Sequence, residues 1–242
     1  MGSSEEKDRG VRLNKYIGDS GVSSRRAADR IIEEGRVTID GRVAVLGDRV
    51  QPDNVVCVDG KIITPVEEDI ILVLNKPVGI TCTSNPEDPD NVIDFIDYPK
   101  RIYSIGRLDK DSEGLLLMTN NGILADKIMH SSSGHDKEYI VVVDKDITDH
   151  FIREMTLGVP IMEGSVVTRR CDVEMTGERE FRIILRQGLN RQIRRMCSSL
   201  GYTALSVKRI RVMNIELGNM GLGKCRDLTK VERIELYERL KI

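Results

Sequence analysis

Three features of the sequence predict an α+β fold in two parts. Two short helical segments followed by hairpin-like strands occupy the first 63 residues, a proline- and acid-rich break comes next, and a long strand-rich stretch follows. In that stretch the strands succeed one another without regular βαβ spacing, which predicts a mixed, largely antiparallel sheet flanked by helices and not a doubly wound one. At 242 residues the chain has room for a full core and a second domain.

Taken in order, residues 1–10, "MGSSEEKDRG", carry no apolar pattern and read as a flexible tail. "RLNKYIGDSG" is a short helix stopped at Gly21. "SSRRAADRIIEEG" is a second, with Ser23 or Ser24 as its cap and Gly35 at its end. "RVTIDGRVA" alternates Val37, Ile39 and Val43 around Asp40-Gly41, a strong two-residue hairpin signal, and "VVCVDGKII" repeats it around Asp59-Gly60. These elements make a compact unit over residues 11–63. Residues 64–69, with one proline and three acids, read as a linker. The remainder, 70–242, forms the larger domain. Its strands are expected in "IILVLNKPVG", "RIYSIG", "LLLMT", "EYIVVVD", "VVTRRCDVEM", "EFRIILRQG" and "VKRIRVMNIEL". Its helices are expected at 122–130, 148–157, 190–200 and 229–241, the last capped by Thr229.

Composition narrows the function classes. With 40% hydrophobic and 31% charged residues the chain is an ordinary globular one. No apolar run nears the roughly 20 residues that span a bilayer, and "MGSSEEKDRG" lacks a signal-peptide core, so a cytoplasmic protein with no membrane partner is expected. Five cysteines, 57, 82, 171, 197 and 225, contain no CxxC pair and are expected reduced and buried, with neither a zinc knuckle nor a disulfide framework. Net charge is only −2, but the charges are segregated. Residues 186–215 hold seven bases (Arg186, Arg191, Arg194, Arg195, Lys208, Arg209, Arg211) and no acid, whereas residues 84–97 hold five acids and no base. A basic stripe of this kind is the footprint that a polyanion reads.

Two cofactor motifs are approached and missed. Asp109, Asp111, Glu113 and Gly114 match the start of a calcium loop, but position twelve is Asn120 and the intervening residues are apolar. Gly218, Gly223 and Lys224 match phosphate-loop spacing, but Cys225 stands where a magnesium-binding hydroxyl belongs and no helix begins there. No metal and no cofactor is therefore expected, and "GNMGLGKC" reads as a surface loop.

The charged cluster "GRLDKDSEGLLLMTNNG" then stands beside three other separated motifs: the strand end "NKPVGITCT", the strand "KEYIVVV" and "QGLNRQIRRM". Together, and in this order, they resemble the RNA pseudouridine synthases. The segment "RLNKYIGDSGVSSRRAADRIIEEGRVTIDG" resembles the S4 RNA-binding domain, as in the branch that acts on ribosomal RNA. "QGLNRQIRRMCSSLGY" and "RIRVMNIELGNMGLGKCRDLT" are most similar to the large-subunit enzymes of the F type. The resemblance implies an S4-like domain followed by a catalytic domain, and a metal-free isomerisation in which a uridine is flipped out, its glycosidic bond cut and the base rejoined through C5.

It implies Asp109 as the essential aspartate, acting as nucleophile or base; a neighbouring guanidinium favours the ionised form either role needs, and Arg194 sits at the matching position. Tyr139 matches the active-site tyrosine that stacks on the uracil. Arg107 matches the arginine that fills the space left by the flipped base, and Lys76 the lysine that braces the site, in a structural or a substrate-binding role. Arg191, Arg195, Lys208, Arg209 and Arg211 are expected to bind substrate, and Arg12, Lys15, Arg25, Arg26 and Arg30 to dock structured RNA through the S4-like domain. Asp111 and Glu113 are expected to cap the turn or pair with Lys110. Val207 stands where the family usually has leucine, which leaves slightly more room. The expected partner is 23S ribosomal RNA, with transfer RNA as a second possibility, and the expected state a monomer. The alternative reading is a non-catalytic RNA-binding or ribosome-assembly factor that retains the fold.

Overall fold

The structure, a computed structural model, describes residues 10–65, 69–129 and 134–242. Residues 1–9 of the expected tail, 66–68 of the expected linker and residue 130 of one expected helix lie outside the described residues. The described chain divides into two compact units. The first comprises the residues up to Ile70 with 99–102 and 120–122, and the second comprises 71–98, 103–119 and 123–242.

In the first unit β1 (Val11–Arg12) pairs antiparallel with β4 (Arg49–Val50). Helices α1 (Leu13–Asp19) and α2 (Arg25–Glu33) pack with an antiparallel sheet ordered β3 (Arg42–Val43), β2 (Val37–Ile39), β5 (Val56–Val58), β6 (Lys61–Ile63). Ser24 caps α2 by accepting the Ala27 N–H at 3.2 Å. Asp40-Gly41 and Asp59-Gly60 all take positive φ, as the tight hairpin turns require. Leu13, Ile17, Ala28 and Ile32 from the helices close on Val37, Ile39, Val56 and Val58 from the sheet, a core made by helical and twofold spacing in succession.

The second unit is built on a nine-stranded mixed sheet. Its main order is β13 (Asp172–Gly177), β14 (Glu180–Leu185), β10 (Lys137–Val143), β15 (Ala204–Val212), β9 (Glu113–Thr119), β7 (Ile71–Lys76), β17 (Cys225–Asp227). Strand β8 (Tyr103–Ile105) pairs with β9, and β16 (Ile215–Glu216) with β15. All these pairings are antiparallel except β9 with β15, where Glu113 and Gly114 run parallel to Lys208 and Arg209. The helices are α3 (Val92–Ile96), α4 (Gly122–Met129), α5 (Asp149–Leu157), α6 (Gln192–Ser199) and α7 (Lys230–Leu240), and β11 (Pro160–Ile161) and β12 (Val166–Val167) form a small ribbon. Every residue of β7 is buried, which accounts for its continuous apolar run. One core packs α5 and α6 with β10 and β14 around Phe151, Phe181 and Met196. Another packs α4 and α7 with β7 and β9 around Leu115, Leu124 and Leu236.

Several elements depart from expectation, among them "VKRIRVMNIEL", which turns back after Val212 into two antiparallel strands, β15 and β16. The segment "VVTRRCDVEM" is two strands in two different sheets: β12 pairs with β11 in the small ribbon, and β13 pairs with β14 in the main sheet. Thr168 accepts the Val159 N–H at 2.8 Å through its hydroxyl, and Cys171 N–H donates to Thr156. "GNMGLGKC" leads into an edge strand, β17, which pairs Cys225 with Leu74 and Asp227 with Leu72 and carries no alternation to betray it. Helix α3, capped by Asn91, buries only Val92 and so left little apolar signal. The cysteines are free, and Cys171 and Cys197 are buried as expected, but Cys225 is exposed on the sheet edge and Cys57 and Cys82 are half-buried. Among the described residues no helix is long and apolar enough to cross a membrane, and no group of three or more His, Cys, Asp or Glu could hold a metal ion.

Candidate active site

The loop between β8 and β9 is held at several points. Leu108 N–H donates to Cys82 Sγ at 3.4 Å, Gly79 N–H to Lys110 O at 2.8 Å, and Ser112 N–H to Asp109 O at 3.0 Å. Leu108 and Ser112 are buried on either side, and Lys110 is tied to Asp90 at 2.8 Å. β9 then enters the sheet through Gly114, whose φ is +102° and whose Cα faces the backbone of Arg209. A Cβ there would lie 2.2 Å from Arg209 O, so only glycine admits this close pairing of β9 with β15. The result is a loop with little freedom that carries Asp109, 35% exposed, into the wall of a cavity of about 330 Å³. That volume suits a small flat ligand.

The opposite wall is α6 and the turn before it. Leu189 N–H donates to Gln192 Oε1 at 3.1 Å, which closes the turn, and Arg191 takes φ 50° just ahead of the helix. A left-handed arginine costs energy that its contacts must offset. Its guanidinium grips both carboxylate oxygens of Asp111, at 2.9 and 2.8 Å, and lies 3.9 Å from Asp109 Oδ2. Arg194 donates to the main-chain oxygens of Asp111 and Ala204, both at 2.6 Å, and its Nε is 3.2 Å from Asp111 Oδ2. The Arg191 hydrogen bonds hold the Asp111 carboxyl below the usual carboxylate range against the opposing effect of burial, and the charge of Arg194 adds to this. The expected pairing of Asp109 with Arg194 is thus not the one found: the nearest guanidinium to Asp109 is Arg191. Asp111, expected to cap the turn or pair with Lys110, is instead the anchor of both arginines.

The floor comes from β10 and β15. Lys137 and Tyr139 share one face of β10 and line the cavity, while Glu138 points to the other face and binds Arg182 at 3.0 Å and Arg211 at 2.6 Å. Burial raises the Glu138 carboxyl, but the two arginines outweigh it and leave the group below its ordinary value. The register of β10 with β15 slips here: Glu138 faces Arg211 and Tyr139 faces Arg209, which leaves Ile210 as an extra residue. This bulge turns Arg209 and Arg211, which would share a face in a regular strand, onto opposite faces. Arg209 remains at the cavity, 3% exposed, with Nε donating to Leu115 O at 2.7 Å, whereas Arg211 is spent on Glu138. Val207, also in the cavity wall, is buried against the same core.

Lys76 is fully buried below the loop, its Nζ donating to Pro77 O at 2.7 Å, and is not part of the cavity wall. Burial lowers its pKa, and Cys82, Asp111, Asp109 and Glu113 partly offset this. Arg107 is exposed at the cavity. Arg195, Lys208 and Arg211 do not line it; Arg195 turns to Asn190 at 2.9 Å. The expected basic stripe is largely neutralised by acids from distant segments, since Arg186 binds Asp136 and Asp172, Arg211 binds Glu138, and Arg191 and Arg194 bind Asp111. In the other unit the side chains of Arg12, Arg25, Arg26 and Arg30 are exposed without a hydrogen bond or ion pair among the described residues, and Lys15 is paired with Asp19. Sequence reasoning missed Asp111 as the arginine anchor and Lys137 as a wall residue. The second was legible, since residues two apart in a strand share a face with Tyr139.

Three comparisons bear on this arrangement. The profile of the family described as RNA pseudouridylate synthase matches residues 70–199, and that of the S4 domain matches residues 11–56. The chain is 50% identical over 236 residues to the dual-specificity RNA pseudouridine synthase RluF of Escherichia coli, across 97% of this chain and 81% of that protein. It is 37% identical over 220 residues to the ribosomal large subunit pseudouridine synthase B of Vibrio cholerae, across 85% of this chain and 67% of that one. A crystal structure of a pseudouridylate synthase superposes with a TM-score of 0.70 at 25% identity, covering 94% of this chain and all of the other.

Proposed function

Because the chain belongs to the RNA pseudouridylate synthase family, we propose that it isomerises a specific uridine of 23S ribosomal RNA, with Asp109 as the carboxylate on which bond cleavage depends. The observation that carries this reading is the position of Asp109, on a loop pinned to the sheet at Gly114, in the wall of a cavity shared with Tyr139, Arg191, Arg194 and Arg209. A uridine within paired RNA is out of reach of that cavity, so the nucleotide must flip into it at a cost of a few kcal/mol. Arg107, at the cavity and free of any partner among the described residues, is placed to fill the space left in the stack.

Tyr139 offers the flipped base an aromatic face. Asp109 acts on the sugar, as nucleophile at C1′ or as base toward the ribose, with Arg191 beside it and Arg194 steadying the loop through Asp111. Lys76, buried beneath the loop and outside the cavity wall, supports it from below. The exposed Arg12, Arg25, Arg26 and Arg30 dock structured RNA through phosphates, which do not by themselves read sequence.

The test is release of tritium from C5-tritiated, unmodified 23S ribosomal RNA, with transfer RNA in parallel, comparing the wild-type protein with Asp109→Asn. Release by the wild type alone, from the ribosomal substrate, is expected. Release from transfer RNA only would overturn the substrate, and equal release by Asp109→Asn would overturn the role of the carboxylate.

A further inference from the structure

The cavity has a cation that the reading above does not use. Lys137 opens β10 two residues before Tyr139, on the same face, and its side chain lines the cavity with Asp109 and Arg209. The other cations of the wall have partners: Arg186 has Asp136 and Asp172, Arg191 and Arg194 have Asp111, and Arg209 has Leu115 O. Arg107 is unpaired but exposed at the surface. Lys137 alone is a half-buried charge whose side chain makes no hydrogen bond or ion pair among the described residues. Burial lowers its pKa, the charge of Arg209 lowers it further, and Asp136, whose carboxylate is held by Arg186 at 2.8 Å, only partly offsets this. A cation kept in this state without a partner is costly unless an anion arrives to meet it.

The proposed reaction supplies one. When the N1–C1′ bond breaks, both of its electrons stay with the base, and the free uracil carries a negative charge spread over N1, O2 and O4. We propose that Lys137 is a catalytic residue that holds this uracil anion, its ammonium donating a hydrogen bond to a uracil oxygen while the base turns to present C5. No proton need change hands at this contact. The electron pair returns to the sugar as the C5–C1′ bond, the C5 proton leaves, N1 gains one, and the ammonium ends as it began. This rests on the isomerase reading and adds the group that stabilises its charged intermediate. Donors placed where charge develops in a dry site are among the largest contributors to catalysis.

The groups that face Lys137 define its pH behaviour: Arg209 on β15, His135 and Asp136 ahead of its own strand, Arg186 after β14, Asp109 and Arg107 on the loop, and Arg191 and Arg194 at α6. Activity requires the ammonium, so it is expected to fall as pH rises through the lowered pKa. The experiment uses the full chain and whichever C5-tritiated RNA the wild type modifies. It measures single-turnover tritium release from pH 6 to 10, with RNA affinity and thermal melting alongside, for the wild type, Lys137→Met, Lys137→Arg and Asp109→Asn. Lys137→Met is expected to lose roughly a hundredfold in rate, as for removal of one donor from an oxyanion site, with RNA affinity within threefold of wild type. Lys137→Arg is expected to keep part of the rate and to move the alkaline limb upward, a change that a purely structural lysine would not produce. A Lys137→Met rate within threefold of wild type, or an unmoved alkaline limb in Lys137→Arg, overturns the proposal. Equal activity of Asp109→Asn would sink the parent reading instead, so the two failures are distinguishable.

Discussion

Replacing Gly114 by alanine tests how the cavity wall is held. The new Cβ would sit 2.2 Å from Arg209 O, 2.8 Å from its N and 3.0 Å from its C, all backbone atoms that no rotamer change can move away. Its φ of +102° adds backbone strain of about 1–3 kcal/mol. Forcing the two strands apart adds an overpacking cost of about 1–3 kcal/mol. A combined loss near 4 kcal/mol lowers the melting temperature of a chain of this length by roughly 10 °C. Because Asp109 lies just ahead of the same strand, the loop shifts as well, and a displacement of about 1 Å at a reacting group costs on the order of a hundredfold in rate.

Gly158→Ala is the matched control. It has φ +104° and an equal 2.2 Å clash, with Thr168 O, but lies at the end of α5 outside the cavity wall. Melting curves and tritium release at a temperature where both variants are folded should show both destabilised and only Gly114→Ala slowed, on the order of a hundredfold. A Gly114→Ala protein that melts within 2 °C of wild type, on the scale above, or that is destabilised but fully active, would refute the argument.

Three further outcomes are expected. Asp111→Asn should be less stable by about 1 kcal/mol at pH 7, modest because the pair is half-exposed. The carboxyl is held below its ordinary value of 3.8, so the gap should be full above that pH and close as pH falls through the lower folded value; a gap that widens in acid would contradict it. Glu138→Gln leaves Arg182 and Arg211 without their shared anion, on the face away from the cavity, and should cost about 2 kcal/mol in urea unfolding while tritium release is unchanged. Thr229→Ala breaks the reciprocal capping box with Glu232 at the start of α7 and should cost about 1 kcal/mol, read from thermal melting.

What could be read in the chain was mostly local. The caps at Ser24 and Thr229 and the hairpins at Asp40-Gly41 and Asp59-Gly60 announce themselves because the conformations they require are met by few residue types. The cavity wall was legible where one residue sufficed, as at Asp109 and Tyr139, and not where register decided. Strict alternation puts Arg209 and Arg211 on one face, and only the bulge at Ile210 separates them. Nor does any pattern within a strand say that β9 will lie parallel to β15 or that Asp111 will be the partner of two arginines from α6. Those pairings are set by tertiary packing, and the basic stripe read from charge alone was correspondingly overstated as an open surface.

The parallel pairing of β9 with β15 also has a temporal side. Contacts that close the site span 80 residues from Asp111 to Arg191 and 94 from Leu115 to Arg209. Such separations are slow to close because a long loop must be ordered before any contact rewards it. During synthesis at about 5–20 residues per second, β7, β8 and β9 are made well before the strand they need. The growing chain therefore displays its aspartate loop with no opposing wall, and it gains a working pocket only when β15 arrives. An RNA-modifying enzyme built this way stays silent toward the RNA around it until β15 has been made and has reached the aspartate loop.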